Sequence, residues 1–295
     1  MLSTESPSAI RWLLSFLIPT LVVIHGYRKK HLNWTGSISA FIVGFILTIS
    51  NSCFMACMLT FFFTSSRATK YKSHLKRKIE SDYEKSSCRN WIQVICNGGV
   101  ASLFALVFMS YQGVGQEIPI NLNDNFYSSW FAIGVMGSIA CCNGDTWASE
   151  LGLALSSDNP RLITTWRKVP KGTNGGVTLI GLILSASGGL VIGLVYYLVL
   201  ICSVDQNILA INPPQWPIIF YGLIAGLLGS VIDSLLGATL QFSGLNRATE
   251  TIVEVPGQNI EWISGVPRLN NHSVNILSSL SMALITPLIS QFLWP

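Results

Sequence analysis

Charged residues are scarce in this chain. Only 11% of its 295 residues are Asp, Glu, Lys or Arg, half are apolar, and the mean hydropathy is +0.49. Soluble domains carry about 25% charged residues, so this composition excludes an ordinary soluble protein. Apolar runs of about 17 to 25 residues, long enough to cross about 30 Å of hydrocarbon, recur along the sequence. The chain is therefore predicted to be an integral membrane protein.

Several familiar site signatures are also missing. The seven cysteines form no CxxC pair and lie mostly within apolar runs, so neither a zinc site nor a disulfide framework is expected. The sequence has no GxxxxGKS or GxxxxGKT loop and no HRD or DFG motif, so any phosphate site is of another kind. The net charge of +4 comes from short loops between apolar segments, which membrane insertion alone produces. No nucleic-acid partner is expected.

The apolar runs predict an all-α fold, a polytopic membrane helix bundle with seven to eight transmembrane helices in a single domain, residues 1–295. Helices are favoured over barrel strands because the runs lack period-two alternation. The second and third spans share one apolar block, so they form a tight hairpin, a re-entrant pair or one long tilted helix. The predicted spans are 10–26, 35–49, 52–66, 91–110, 128–155, 174–201, 216–241 and 274–293.

The distribution of Lys and Arg predicts how the bundle is oriented. All but one of the 18 basic residues lie in four loops that the eight-span topology places on one side, 28–33, 67–90, 156–173 and 242–273. The exception is Arg11, and the loops 111–127 and 202–215 contain no Lys or Arg. Because basic loops stay in the cytosol, the basic loop 67–90 and the three other basic loops are predicted to be cytosolic.

Three acidic residues lie inside predicted spans, Asp145, Glu150 and Asp233. A charge at the centre of a membrane helix costs roughly 2.5 to 3.5 kcal/mol, so each must be offset. Hydroxyl, amide or basic partners would make them packing residues, whereas a bound cation or polar substrate would make them functional. Asp145 and Glu150 are about 140° apart around a straight helix. Either they engage different neighbours, or the helix breaks near Gly144 and both face one cavity.

The span that carries Asp233 also has small residues at every fourth position. This ridge allows a second helix to approach closely. Asp233, Gly237 and Gln241 form a neighbouring stripe, which places the acid beside the expected helix contact. The ridge consists of Gly222, Gly226, Ser230, Ser234 and Ala238.

The segment 156–173 is a candidate cytosolic phosphate-binding loop. It carries Arg161, Arg167, Lys168 and Lys171 and runs into the sequence GTNGG. If the next helix begins at that sequence, the exposed backbone N–H groups and the helix dipole favour an anion there. A basic loop that only sets membrane orientation explains the charge but leaves the residues that follow unexplained, namely Thr173, Asn174, Gly175 and Gly176.

Four segments together resemble one family. The sequences GDTWASELG, RLITTWRKVPKGTNGGVTLIG, PQWPII and GSVIDSLLGATLQ are similar to those of the transmembrane protein 19 family, and the resemblance covers about residues 10–295. The family includes plant and cyanobacterial phytyl-phosphate kinases, which favour CTP. The resemblance therefore implies a membrane-embedded kinase that converts an isoprenoid lipid phosphate to its diphosphate, with Mg²⁺ and CTP or a related nucleotide.

The three acids match the family motif, and the chemistry of such a reaction suggests a role for each of the residues already singled out. Asp145 and Asp233 are expected to hold Mg²⁺, with Glu150 as a further ligand or an anchor. Lys171 and Arg167 are expected to bind the phosphates, for which Lys and Arg clamps are the usual solution. The nucleotide site would be completed by Lys168, Thr173, Asn174, Gly175, Gly176 and Gln241. An endoplasmic-reticulum membrane with the site facing the cytosol is the expected location.

Three alternatives stay open. A cytidylyl transferase acting on a lipid phosphate would use the same parts. A cation- or proton-coupled transporter would also need buried acids, but it commonly has an inverted repeat, and none is evident. A noncatalytic membrane scaffold would leave the three acids unexplained.

Overall fold

A computed structural model describes residues 7–72 and 88–294, so most of the basic loop 67–90, residues 73–87, lies outside the description. Within the described residues, eight long helices occupy the eight predicted places, which confirms the membrane helix bundle. The helices are α1 Ala9–Arg28, α2 Trp34–Ser50, α3 Ser52–Lys70, α4 Trp91–Gln112, α5 Phe126–Leu155, α6 Leu179–Ser203, the short α7 Gln206–Ala210, α8 Pro217–Leu240 and α9 Asn271–Leu293.

Five of these helices, α1, α4, α6, α8 and α9, are long and apolar enough to cross a membrane, and α2 is a shorter apolar helix. The sixth predicted span begins later than expected. Residues 174–178 form a turn and a short strand, and α6 begins at Leu179 because the Thr178 side chain caps it by accepting the N–H of Gly181. The GTNGG sequence therefore precedes the helix, and the predicted helix N-terminus at Thr173–Gly176 is wrong.

Two small antiparallel sheets join the helices on one face, and the sequence analysis did not predict them. The strands are short and follow polar loop sequences, so they carry no clear period-two pattern. One sheet has the order β1-β2 and the other β4-β3-β5. The strands are β1 Arg161–Leu162, β2 Gly176–Val177, β3 Ser243–Asn246, β4 Thr251–Val253 and β5 Ile260–Ser264.

The second and third spans are separate helices that meet at Asn51. This residue is extended and ends α2, while its side chain accepts the N–H of Cys53 and so caps α3. At the other end of the pair, the Lys70 ammonium donates to the carbonyl of Lys29, 2.5 Å away. The amide of Asn51 donates to the carbonyl of Gln116 in the loop 111–127, on the other side of the bundle. The pair therefore crosses the bundle and returns, which selects the tight hairpin among the three alternatives.

Contacts between loops divide the bundle into two faces, as the distribution of basic residues predicted. On the face that we call the basic face, the backbone of Arg89 pairs with that of Leu32, and Asn174 donates to the hydroxyl of Ser243. The contacts on the opposite face join the loops without Lys or Arg, for example Ile120 with Gln215 and Asn121 with Asn212. Arg11 lies there in an ion pair with Glu117.

Helix α5 is the centre of the bundle. It packs against α3, α4, α6, α8 and α9, and every residue from Ala132 to Gly144 is buried. Around it, α6 and α8 approach each other through glycines. A Cβ atom added to Gly226 would meet the carbonyl oxygen of Ser185 at 2.5 Å and the Cα of Gly189 at 2.7 Å. The predicted ridge of small residues therefore mediates a close helix contact.

Replacing Gly226 with Ala should destabilise the bundle by about 1 to 3 kcal/mol, because the methyl group meets rigid backbone atoms. The measurement is thermal unfolding of the purified protein in detergent. Gly99→Ala is the control, since its Cβ would meet only the side chain of Ile95, 3.2 Å away. Equal unfolding temperatures for the two variants would show that the glycine contact is not tight.

The orientation of the basic face is testable with an impermeant maleimide. Among the described cysteines, five are buried, Cys88 is partly exposed and Cys202 is exposed on the opposite face. In a Cys88→Ser background and in sealed vesicles with the cytosolic face outward, a cysteine placed by Lys168→Cys should react at once. Cys202 should react only after permeabilisation. The reverse order would mean that the basic face is not cytosolic.

Candidate functional site

Two membrane carboxylates, those of Asp145 and Asp233, are brought together by neighbouring helices. The hydroxyl of Ser230 on α8 donates to Asp145 Oδ1 across 3.3 Å, and that of Ser278 on α9 donates to Asp233 Oδ2 across 3.2 Å. The amide of Asn275 donates to the same Asp233 oxygen across 3.3 Å in the orientation that satisfies both of its atoms. The two carboxylates interact electrostatically, and both remain partly exposed.

Close helix packing places Asp145 at this position. A Cβ atom at Gly144 would meet the Ser185 carbonyl oxygen at 2.7 Å and the Cα of Gly226 at 2.8 Å. The preceding residue, Asn143, is fully buried, and its amide donates to the carbonyl of Gly188 across 2.8 Å. Its side-chain oxygen accepts from Thr64 on α3 across 2.9 Å. Three helices are therefore locked around α5 at the level of the acid.

Glu150 faces a different neighbour. Helix α5 continues without a break from Phe126 to Leu155, so the expected alternative of a broken helix near Gly144 is wrong. The Glu150 carboxylate interacts electrostatically with Asp145 and also with Arg89, which precedes α4. It thus interacts both with one acid of the pair and with a cation that the sequence analysis did not single out.

Arg89 is a functional candidate that was hidden in the basic loop 67–90. Its guanidinium donates to the hydroxyls of Ser66 and Ser65, 2.9 and 3.0 Å away. Burial lowers the pKa of Arg89, and the negative charge of Glu150 partly opposes that shift. The signal that could have identified it is its place directly before the capping residue Asn90, where the loop must already be packed against the bundle.

The positive charge of this region also affects a histidine. Burial, and then the charges of Lys70, Arg89 and neighbouring groups, lower the pKa of His31 to about 4. The ring is therefore neutral at pH 7. Burial is the larger cause of this shift, and the nearby charges of Lys70 and Arg89 add to it.

The donor set fits a magnesium ion. Among the residues that the structure describes, no three His, Cys, Asp or Glu side chains come close enough to hold a metal ion together. Mg²⁺ is usually held by only one or two protein carboxylates, with water and phosphate oxygens as the other ligands. Asp145 and Asp233 supply that number, and the side chains that donate hydrogen bonds to them among the described residues, Ser230, Ser278 and Asn275, are uncharged.

The candidate phosphate loop packs on the three-stranded sheet. Arg167 donates to the carbonyl of Ile263 and lies over the Trp262 ring, 5.9 Å from its centroid. Lys171 donates to the carbonyl of Ser156, 2.5 Å away, and Lys168 is exposed. The hydrogen bonds of Arg167 and Lys171 go to neutral carbonyls, and the Trp262 ring is also uncharged, so these contacts do not neutralise the two positive charges.

The backbone of the GTNGG segment is used differently from the prediction. The N–H groups of Thr173, Asn174 and Gly176 donate to Pro170, Ser243 and Thr173 respectively. Three of the four expected phosphate donors are thus engaged within the fold. They stabilise the loop, and they would have to change partner to contact a phosphate.

Gln241 is buried at the end of α8 and is hydrogen-bonded in the same group of loop residues as Asn174. Its amide donates to the carboxylate of Glu254 across 2.8 Å, and the amide of Asn174 reaches that carboxylate at 3.5 Å. The predicted nucleotide residues Asn174 and Gln241 are therefore close to each other. The acid that joins them follows β4 and was not predicted.

Helix α8 connects the loop with the acid pair. Gly175 has a positive φ of 77°, and a Cβ there would meet the carbonyl oxygen of Ser234 at 2.6 Å. A Cβ at Gly237 would meet the backbone nitrogen of Gly175 at 3.2 Å. Ser234 directly follows Asp233, so the loop sits about one helical turn from that acid. Of the predicted stripe, Gly237 and Gln241 lie beside the loop, whereas Asp233 is hydrogen-bonded to α9.

Comparisons with known proteins agree with this architecture. The family model described as integral membrane protein DUF92 matches residues 17–283. Protein PGR of Arabidopsis thaliana is 36% identical over 98% of this chain and 100% of its own length. Two more distant relatives are an uncharacterised membrane protein of Methanocaldococcus jannaschii, 29% identical over 84% of this chain and 92% of its own, and Protein VTE6, chloroplastic, of Arabidopsis thaliana, 22% identical over 95% and 70%.

No solved structure matches the chain. The family match covers most of the sequence, including both acid-bearing helices and the loop between them. The resemblance to the transmembrane protein 19 family is thereby confirmed. The chain belongs to the integral membrane protein DUF92 family.

Proposed function

We propose that this protein is a membrane-embedded kinase that converts an isoprenoid lipid phosphate, such as a phytyl-like phosphate, to the diphosphate. CTP or a related nucleotide would be the phosphate donor, with Mg²⁺. The observation that carries the proposal is a pair of interacting membrane carboxylates, Asp145 and Asp233. Asp233 lies about one helical turn from the contact between α8 and Gly175, at the end of a loop rich in Lys and Arg. The family resemblance to lipid-phosphate kinases points in the same direction.

The chemistry explains why acids and cations should lie side by side. Both reactants are anionic, so catalysis of phosphoryl transfer consists mainly of positioning and charge stabilisation. Bound between the carboxylates of Asp145 and Asp233, Mg²⁺ would neutralise nucleotide phosphate oxygens. Glu150 would orient this region through its interaction with Arg89.

The loop would supply the remaining charge. Arg167 and Lys171 now donate to backbone carbonyls, and a phosphate would offer them charge-assisted hydrogen bonds, which are about twice as strong. Lys168 is exposed and free to approach the nucleotide from the aqueous side. Thr173, Asn174, Gly175, Gly176 and Gln241 would shape the nucleotide site through their packing on α8 and on the sheet.

The nucleophile needs no general base. A lipid phosphate is already ionised at neutral pH, so its oxygen can attack the terminal phosphorus of the nucleotide without losing a proton. The bond to the leaving nucleoside diphosphate breaks as the new P–O bond forms. We further propose that this reaction occurs at the cytosolic face of an endoplasmic-reticulum membrane.

The identity of the products tests the reaction class. Purified protein would be incubated with Mg²⁺, CTP or ATP and a panel of polyprenyl phosphates, and the products identified by mass. The proposal expects a lipid diphosphate and a nucleoside diphosphate. A lipid joined to CMP, with release of pyrophosphate, would instead identify a cytidylyl transferase.

Asp145→Asn and Asp233→Asn should each reduce lipid-diphosphate formation by at least about 100-fold, because each loses charge needed to hold the ion and phosphates. Both variants keep the side-chain size, so their unfolding temperatures should remain close to that of the original protein. Asp158→Asn is the control, since Asp158 is exposed in the loop on the same face. Full activity in both membrane variants would contradict the assignment, whereas loss of folding in both would make the acids packing residues.

A further inference from the structure

A mainly apolar cleft lies between α1, α2, α3 and α4, and its lining does not include the acid pair. Its walls include Val22 of α1, Ala40 and Val43 of α2, and Met55 and Met58 of α3. The apolar lining continues from the basic face towards the opposite end of the helices. A chain of hydrocarbon would be the chemically matched occupant of such a space.

The cleft has one polar end. Arg89, Gln93 and Asn97 line it there, at the basic face where the backbone of Arg89 pairs with that of Leu32. The guanidinium donates to the neutral hydroxyls of Ser65 and Ser66. The cleft is therefore apolar along its length and cationic at one mouth, which matches an amphiphile with an anionic head.

Arg89 also connects the cleft to the candidate active site. Its guanidinium interacts electrostatically with Glu150, and Glu150 interacts in turn with Asp145. An anionic head at Arg89 would thus lie on the side of the acid pair that faces α3 and α4. The nucleotide loop approaches the pair from α8, so the two reactants would arrive from different sides.

The outer wall of the cleft is weakly attached to the bundle. Helix α1 packs chiefly on α2, and most of its apolar residues are exposed. Pro19 lies inside α1 and lines the cleft, and proline interrupts the hydrogen bonding of a helix. A chain in the bilayer could therefore enter sideways between α1 and α3 without passing through water.

We infer that this cleft is the lipid subsite, in which a single isoprenoid chain lies along α2 and α3 with its phosphate at Arg89. The inference rests on the proposed function and adds the location of the lipid. From Ser66, beside Arg89, to Met55 at the far end is eleven residues of α3, which corresponds to about 16 Å. That length accommodates most of an extended geranylgeranyl chain, the ligand used in the test below.

Binding without nucleotide tests this subsite directly. Radiolabelled geranylgeranyl phosphate would be titrated against the full chain in nanodiscs, with geranylgeraniol as the uncharged comparison. Val22→Phe on α1 and Ala40→Phe on α2 both place a ring in the cleft lining. Each should weaken binding by at least about tenfold, since the ring occupies the volume of buried chain carbons. Ile42→Phe is the control, because Ile42 is 51% exposed on the outer side of the same helix.

The head group is tested at Arg89. Arg89→Gln should weaken binding of the phosphate by at least about tenfold, because it removes the cation that pairs with the head. It should leave binding of geranylgeraniol nearly unchanged. A merely structural role of Arg89 would weaken both ligands equally, and thermal unfolding of each variant shows whether the bundle is intact.

The outcomes separate this inference from the kinase proposal. Unchanged phosphate binding in both cleft-filling variants, or an equal loss in Ile42→Phe, would overturn the subsite. If wild-type protein makes the lipid diphosphate while the cleft variants bind and react normally, the kinase proposal stands and the subsite fails. If the cleft variants lose binding but the wild-type protein transfers no phosphate, the subsite stands and the kinase proposal fails.

Discussion

The architecture depends on the close approach of α5, α6 and α8 at their glycines. Backbone atoms of Gly144, Ser185 and Gly226 lie so near each other that no side chain fits between them. That contact places Asp145 beside Ser230 on α8. A carboxylate in the hydrocarbon region is costly unless it is hydrogen-bonded, hydrated or bound to a cation. Neutral donors, one serine hydroxyl for Asp145 and a serine hydroxyl with the Asn275 amide for Asp233, offset only part of that cost. A cation and phosphates could offset the rest.

Much of the fold was predictable because membrane helices must satisfy their own backbone and therefore appear as continuous apolar runs. The ridge on α8 was also predictable, because small residues at every fourth position allow a second helix to approach closely. Short-range polar structure was not predictable. The start of α6 depends on the cap at Thr178, and the sheet with Gln241 and Glu254 at its edge depends on contacts between distant loops.

Only part of the candidate site could be predicted from the sequence. The three acids stood out because their surroundings are apolar, whereas Arg89 was lost among the basic residues of its loop. Only the folded chain shows that this arginine binds the hydroxyls of α3 and interacts with Glu150. The result is an arrangement in which a lipid from the bilayer and a nucleotide from the water could meet at one pair of acids. Separate approaches suit reactants with such different solubilities.

The central claim is that Asp145 and Asp233 hold one divalent cation between them. The most direct measurement is electron paramagnetic resonance of Mn²⁺, used as a probe for Mg²⁺, titrated into the purified protein in nanodiscs with a non-hydrolysable CTP analogue. The account predicts one tightly bound Mn²⁺ in the wild-type protein and none in the double variant Asp145→Asn/Asp233→Asn. Bound Mn²⁺ of unchanged affinity and stoichiometry in the double variant would contradict it.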